Sequence, residues 1–455
     1  MNLNKSIFRE YDIRGIVKDD FSDDIVINLG RAFGTYMASK NLKTVCVSGD
    51  IRESSIDLKN AFINGLVETG ANVTDIGILP TPVNYFSIYH MNVDAAVQIT
   101  GSHNPAEFNG FKFSCKNESF YGKKIQKLKN IIIENKFSFN KGTLSKKNII
   151  EEYIEMLISK IEINKKMKVI IDCGNACGCI TVPKTLKRLG IEVTELYSNI
   201  DSSFPNHHPD PTVDSNLKDI INQIKKGDYD LGMAFDGDAD RIVVIDGNGN
   251  IIRSDNLIAI FLPEIINKNN NKVIFDVKCS EALEKMILKN NGTPMMWKTG
   301  HSLIKDKMKQ EGALFAGEMS GHIFFADEYF GYDDALYVGL RLLRLLSKSN
   351  LSLSDLNKEI PKYESTPEMR LECEDDEEKF KIADNAIKYF TKNHKCLTID
   401  GVRIKFKNGW GLVRSSNTQP VIVCRFEAKD SKTLEKIKKY VLDKLKEFGN
   451  IKLEL

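Results

Sequence analysis

Short apolar runs rich in β-branched residues recur along the chain, each entered from polar residues and followed by a turn and a helix-like segment. Thr44 to Ser48, Lys168 to Asp172 and Lys272 to Asp276 have the length and composition of buried strands. Among the helical segments that follow them, Ser280 to Lys289 is the clearest. A second run follows in each copy: Asn72 to Ile76, Glu192 to Leu196 and, more weakly, Pro294 to Trp297. Gly70 and Gly190 stand just ahead of the first two, where helices commonly end. A third run closes each copy: Ala95 to Ile99, Asp230 to Phe235 and Ala313 to Ala316. Strands alternating with helices predict parallel α/β layers joined by right-handed crossovers.

The C-terminal segment has a different rhythm. Leu397 to Lys407 and Val421 to Ala428 read as strands, and Asp400-Gly401 and Asn408-Gly409 as tight hairpin turns. A helix with Leu434, Ile437, Val441, Leu442 and Leu445 on one face ends the segment. The acidic stretch Glu372 to Glu378 is a solvated linker or a helix start. Four domains follow from this reading, spanning 1–147, 148–250, 251–363 and 364–455. The first three are related α/β domains and the last is α+β.

Composition narrows the classes. A chain of 455 residues exceeds the ~250–300 at which single cores stop growing. At 42% hydrophobic and 28% charged residues it is an ordinary globular sequence, neither disordered nor fibrous. The formal charge of +2 argues against a chain built mainly to bind nucleic acid or an anionic membrane, so any anion must be held by local clusters. The most apolar stretch, Leu257 to Ile266, is interrupted by Pro263 and Glu264 and is far short of a membrane span. Nine cysteines without an export signal point to a reducing cytoplasm. Cys173, Cys177 and Cys179 lack zinc-site spacing and read as small residues filling a strand-to-helix turn.

Beyond the three closing strands lie Thr100-Gly101-Ser102-His103-Asn104-Pro105, Asp236-Gly237-Asp238-Ala239-Asp240-Arg241 and Gly317-Glu318-Met319-Ser320-Gly321-His322. Ligands in α/β layers sit beyond the carboxyl ends of strands, so all three loops occupy the functional edge. If the chain stays extended, Asp236, Asp238 and Asp240 point to one side. Such charges ~5 Å apart repel by about 3 kcal/mol at a dielectric near 20, and a cation relieves this. Oxygen ligands without His or Cys favour magnesium, manganese or calcium, with magnesium the default. An EF-hand is excluded because Arg241 and Gly247 stand where Gly and Glu are required. Ser102 has the exposure a nucleophile needs or is part of a simple turn, since Ser, Asn and Pro are also turn residues, and an acyl-transfer elbow is absent. His103 beside it is no evidence for a dyad, since sequence neighbours often point apart. Arg414-Ser415-Ser416-Asn417-Thr418 makes a donor-rich cradle for phosphate, or an ordinary polar hairpin loop. Glu318, Ser320 and His322 are suited to reading sugar hydroxyls, and His301 is a weaker candidate.

Phe8-Arg9-Glu10-Tyr11-Asp12-Ile13-Arg14-Gly15, Ser-His-Asn-Pro, Asp-Gly-Asp-Ala-Asp-Arg, Gly-Glu-Met-Ser-Gly-His and Arg-Ser-Ser-Asn-Thr, in that order, resemble the α-D-phosphohexomutase family, in its phosphomannomutase/phosphoglucomutase branch. The resemblance covers nearly the whole chain. It implies four domains around a central active-site cleft, and transfer of phosphate between C1 and C6 of a hexose through a hexose 1,6-bisphosphate. Ser102 would be the phosphoserine, and Asp236, Asp238 and Asp240 would hold one Mg2+ together with a phosphoserine oxygen. Glu318 and Ser320 would bond the sugar, and Arg414, Ser416, Asn417 and Thr418 would clamp its distal phosphate. Tyr11, Arg14, Lys112, Arg241, Lys278 and His301 match positions lining the cleft, with Arg14 and His322 the candidates for proton transfer. Gly101 stands where the family most often has Ala. The expected partners are hexose phosphates, without nucleic acid or membrane, for a cytoplasmic monomer. The alternatives are a phosphoglucosamine mutase, against which Met319 argues, a metal-dependent phosphatase using Ser102, and a non-catalytic sugar-phosphate binder.

Overall fold

A computed structural model describes residues 3–116, 118–267, 270–416 and 419–453. The chain divides into two compact units, residues 1–257 with 320–357 and residues 258–319 with 358–455.

The first unit contains two sheets. One runs Ile13–Ile16, Phe108–Cys115, Ala95–Ile99, Thr44–Gly49, Asn72–Ile78, Thr143–Lys146 in spatial order. The other runs Ile251–Ile252, Ile242–Asp246, Leu231–Phe235, Lys168–Asp172, Glu192–Leu196. Each centre is parallel, as the alternating pattern predicts: Thr44–Gly49 pairs with Asn72–Ile78 and Ala95–Ile99, and Lys168–Asp172 with Glu192–Leu196 and Leu231–Phe235. The sheets are nevertheless mixed. Phe108–Cys115 and Ile242–Asp246 return antiparallel beside the strands that deliver the serine and aspartate loops. The reason is length. Residues 100–107 and 236–241 are too few for the dozen or more residues that a parallel crossover needs.

Phe33, Phe62, Phe111, Phe113 and Phe120 form the aromatic heart of the first sheet's core, each buried ring contributing about 1.5–3 kcal/mol. The helices Asp23–Ser39 and Ser55–Val67 cross closely because Gly30 and Gly65 meet there. A Cβ on Gly30 would lie 2.2 Å from the Phe62 carbonyl, and one on Gly65 2.0 Å from that of Ile27. Cys173 and Cys177 are buried in the turn between Lys168–Asp172 and the helix Gly178–Arg188, as small fillers should be.

In the second unit Thr293–Trp297, Lys272–Asp276 and Phe315–Gly317 pair in parallel. The last strand begins two residues later than the apolar run suggests, because the helix His301–Glu311 continues to a left-handed cap at Gly312. The C-terminal sheet is antiparallel, with Gly409–Ser415 at its centre between Val402–Phe406 and Val421–Ala428, so Arg414 and Ser415, expected in a loop, belong to a strand. The helices Asp376–Asn393 and Ser431–Phe448 cover it, burying Ile382, Phe390, Ile437 and Val441 against Ile404, Val413 and Phe426. The acidic stretch resolves into a strand end at Glu372 and a helix whose N-cap, Asp375, accepts from Glu378 N at 2.8 Å. Among the described residues no helix is long and apolar enough to cross a membrane.

Candidate active site

Ser102 follows the strand Ala95–Ile99 and is held in a tight turn. Its backbone φ is 50°, and its N–H donates to Thr100 Oγ1 at 2.8 Å. The hydroxyl donates to Asp236 Oδ2 at 3.1 Å and lies 3.1 Å from His103 Nδ1. Two expectations are corrected here. Ser102 is only 1% exposed, because the aspartate loop packs over it. Its neighbour His103 turns toward it, the left-handed backbone swinging the two side chains together. The contact between loops is backbone on backbone: a Cβ on Gly237 would lie 2.2 Å from the Ser102 carbonyl oxygen.

The aspartates occupy a hairpin turn between Leu231–Phe235 and Ile242–Asp246, not a continued extension. Ala239 is left-handed at φ 58°, and Asp236 Oδ1 accepts from the N–H groups of Asp240 and Arg241, both at 3.1 Å. This folding brings one oxygen of each carboxylate within 4.8 Å of the others, all fully buried. Lys112, on Phe108–Cys115, places Nζ 2.6 Å from Asp238 Oδ2 and 2.6 Å from Asp240 Oδ2. Thr81 donates to Asp238 Oδ2 at 2.5 Å. Burial, then repulsion from Asp238 and Asp240, pushes the Asp236 carboxyl well up. Burial works against the charge of Asp238 too, but Lys112 outweighs it and holds that carboxyl low. The trio thus carries more negative charge than Lys112 offsets. Asp238 Oδ1 and Asp240 Oδ1 are buried without a hydrogen-bond partner among the described residues. Buried oxygen acceptors lacking donors are what a hard divalent cation requires.

Arg14, on Ile13–Ile16, grips Asp12 Oδ2 through Nε at 3.1 Å and Nη2 at 2.9 Å, and reaches Asn104 Oδ1 at 3.3 Å. Tyr11 lies half-buried just before that strand. Arg241 Nε donates to His322 Nε2 at 2.9 Å and lies 3.9 Å from Asp236 Oδ2. His322 Nδ1 is 2.9 Å from Asp333 Oδ2 and 3.6 Å from Asp240 Oδ1. Ser320 is half-buried in the turn before Gly321, whose φ is 98°. Ser102, Lys112, the trio, Arg241 and His322 are therefore brought together, joined by His103, whose adjacency in the chain was no evidence for pairing, and by Thr81 and Asp333, which the sequence reading missed. Asp334 caps the helix Ala335–Lys348, accepting from Tyr337 N at 2.9 Å. Asp333 beside it gave no separate signal.

In the second unit Lys278 follows Lys272–Asp276, its Nζ 3.0 Å from Glu368 Oε2 and 3.9 Å from Asp276 Oδ2. Burial opposes the charge on Glu368, yet Lys278, ahead of Arg370, draws its carboxyl down to about 2. Glu318 is buried, with Oε1 accepting from Gly300 N at 2.6 Å, just before His301 opens its helix. Asp276 accepts from Met319 N at 3.1 Å and from Thr299 Oγ1 at 3.1 Å. Asp400 Oδ2 accepts from Thr299 N at 3.1 Å and from Arg414 Nε at 2.9 Å. Arg414 sits at the end of a strand, not in a loop, and Ser416 begins the connection, its N–H donating to Val421 O at 2.9 Å. Lys278, Glu318 and Arg414 are thereby tied together through Asp276, Thr299-Gly300 and Asp400, and His301 is buried at the start of the adjoining helix, while Asn417 and Thr418 lie outside the described residues.

Four family models match in order. Residues 5–139, 151–249 and 253–363 match phosphoglucomutase/phosphomannomutase alpha/beta/alpha domains I, II and III, and residues 368–444 match the C-terminal domain. The chain belongs to the phosphoglucomutase/phosphomannomutase family. It is 42% identical over 437 residues to a phosphomannomutase/phosphoglucomutase of Pseudomonas syringae pv. tomato, covering 96% of this chain and 94% of that one. It is 41% identical to a phosphoglucomutase of Neisseria meningitidis serogroup A, covering 96% of each. A crystal structure of a phosphoglucomutase/phosphomannomutase family protein from Burkholderia thailandensis superposes with a TM-score of 0.92, at 37% identity and 99% coverage of both chains.

Proposed function

We propose that this chain is a phosphohexomutase that interconverts hexose 6-phosphate and hexose 1-phosphate, of mannose, glucose or both, through a phosphorylated Ser102. The observation that carries the reading is the Ser102 hydroxyl, 3.1 Å from one of three clustered, buried carboxylates. In the forward half, the sugar hydroxyl oxygen bonds to the phosphorus as the bond to Ser102 Oγ breaks; the sugar hydroxyl gives up its proton and Ser102 Oγ takes one up. The resulting hexose 1,6-bisphosphate turns end for end. Ser102 Oγ then bonds to the other phosphorus as that phosphorus parts from its sugar oxygen; the serine gives up its proton, the sugar oxygen takes one up, and the isomer is left. Asp236, Asp238 and Asp240 would hold Mg2+, which when bound offsets charge on the transferring phosphoryl group. Lys112 and Arg241 add positive charge there from the protein itself.

Arg14 and His322 are the candidates for moving the hydroxyl proton. His322 Nε2 accepts from Arg241, so its use as a base requires that bond to open. Tyr11, Lys278, His301, Glu318 and Ser320 would contact the sugar phosphate. Arg414 and Ser416, with Asn417 and Thr418, would grip the distal phosphate whichever carbon bears it. The domain division 1–147, 148–250, 251–363 and 364–455 assigns serine, metal, sugar and phosphate functions in that order. A chain with nine cysteines suits a reducing cytoplasm, where we take the enzyme to act as a monomer. Turnover of mannose 1-phosphate, glucose 1-phosphate and glucosamine 6-phosphate tests the substrate class. The two neutral sugars are expected to turn over without release of free phosphate. Preference for the amino sugar, or stoichiometric phosphate release, would overturn the reading.

A further inference from the structure

Arg52 is 3% exposed and lies just past the strand Thr44–Gly49, which pairs with the strand that delivers Ser102. Its guanidinium is spent on backbone carbonyls of the nucleophile loop. Nη1 donates to Pro105 O at 2.5 Å and to Phe108 O at 3.0 Å. Nη2 donates to Ser102 O at 2.8 Å and to Asn104 O at 2.5 Å. Nε donates to Asp50 Oδ2 at 3.2 Å. That same carboxylate oxygen accepts from Thr100 Oγ1 at 2.7 Å and from Gly101 N at 3.2 Å. Asp50 and Arg52 together therefore hold the loop from both sides of Ser102. Only a planar fork with five donors fits this arrangement; a lysine ammonium is one point with three.

Gly101 supplies a second, independent observation. A Cβ there would lie 2.6 Å from Arg52 Cζ and 2.6 Å from Nε, so the guanidinium packs directly on the backbone ahead of the nucleophile. Ser102 itself is held at φ 50°, a conformation that L residues adopt only when their surroundings enforce it.

We infer that Arg52 is the positioning residue of the nucleophile loop: locked by Asp50, its guanidinium fixes the carbonyls around Ser102 so that the hydroxyl is held at the aspartate trio for phosphoryl transfer. The inference rests on Ser102 as the phosphorylated residue. All five guanidinium N–H donors of Arg52 are used on Asp50 and the loop carbonyls, leaving none for the substrate, so its removal should cost rate and not affinity.

Intact-mass measurement first asks whether the wild-type protein carries one phosphate that Ser102→Ala lacks; its absence overturns the underlying reading and this inference with it. With the phosphate present, Arg52→Lys and Asp50→Asn are each expected to lower kcat for glucose 1-phosphate at least about tenfold, with KM within about twofold, because a ~1 Å misplacement can cost about 100-fold. Both variants disturb the same fork, so the double variant should lose less than the product of the two single losses. Should Arg52→Lys fail to give a cooperative thermal transition, Asp50→Asn decides alone, since it loosens the guanidinium from the Nε side. A kcat within about threefold of wild type, a KM that rises as kcat falls, or losses that multiply would overturn the inference while leaving the phosphoserine reading intact.

Discussion

Lys112→Met isolates the electrostatics of the site. The ammonium lies 2.6 Å from Asp238 Oδ2 and 2.6 Å from Asp240 Oδ2, with side-chain exposures of 4% and 0%. At an effective dielectric near 20 each contact is worth about 6 kcal/mol of attraction, much of it offset by desolvation of the ammonium. Methionine keeps the length and removes the charge, leaving the trio without its nearest cation. Breaking a buried pair in this way costs about 3–5 kcal/mol. In EDTA the variant should therefore be less stable by about that amount. A divalent ion bound only by the native trio adds about 2.7 kcal/mol at ~100 times its Kd, so excess magnesium chloride should recover half or more of the loss. Trp297 and Trp410 both belong to the second unit, so tryptophan fluorescence is the wrong probe. Hydrogen exchange in peptides covering Ala95–Ile99 and Leu231–Phe235 reports the right one. A loss under about 1 kcal/mol, or one that magnesium leaves unchanged, would refute the claim that these carboxylates are a cation site.

Arg414→Ala should weaken binding of the 1-phosphate and 6-phosphate isomers alike, by about tenfold or more, as expected for a lost charge-assisted hydrogen bond. Equilibrium binding to Ser102→Ala, which cannot turn over, measures this, and an effect on one isomer alone contradicts a shared clamp. Asp334 is buried, which raises its carboxyl to about 6 despite hydrogen bonds from Tyr329 at 2.6 Å and Tyr153 at 2.8 Å. A carboxyl that holds its proton more tightly folded than unfolded adds stability below about pH 4, and that contribution, on the order of 3 kcal/mol, is lost as pH rises through about 6. Asp334→Asn should gain on wild type in urea denaturation between about pH 4 and 7, and parallel pH profiles for the two proteins would exclude this.

The strands of the three repeats were legible because buried parallel strands are unbroken apolar runs; Lys168–Asp172 and Lys272–Asp276 begin and end where the sequence places them. The loops were legible because each concentrates its chemistry in six consecutive residues. What escaped depends on the path of the backbone or on distant partners. The aspartates converge through a left-handed Ala239, a conformation that a period-two reading cannot anticipate. Ser102 appeared exposed because its turn residues say nothing of Gly237 packing on its carbonyl. Lys112 meets Asp240 across 128 residues, Thr81 meets Asp238 across 157, and Arg52 reaches the serine loop across 50. No periodicity links such pairs. Only the folded sheet, which sets Phe108–Cys115 beside Ala95–Ile99, brings Lys112 into the site.

Phosphate on the protein itself tests the central claim most directly. Intact and peptide mass spectrometry of wild-type protein, before and after excess glucose 1-phosphate, should find a single phosphate on the peptide containing Ser102, exchanging with substrate. Ser102→Ala should carry none and lose turnover while still binding substrate within about tenfold, or ~1.4 kcal/mol. Undiminished turnover by Ser102→Ala, or exchanging phosphate on any other residue, would contradict the account.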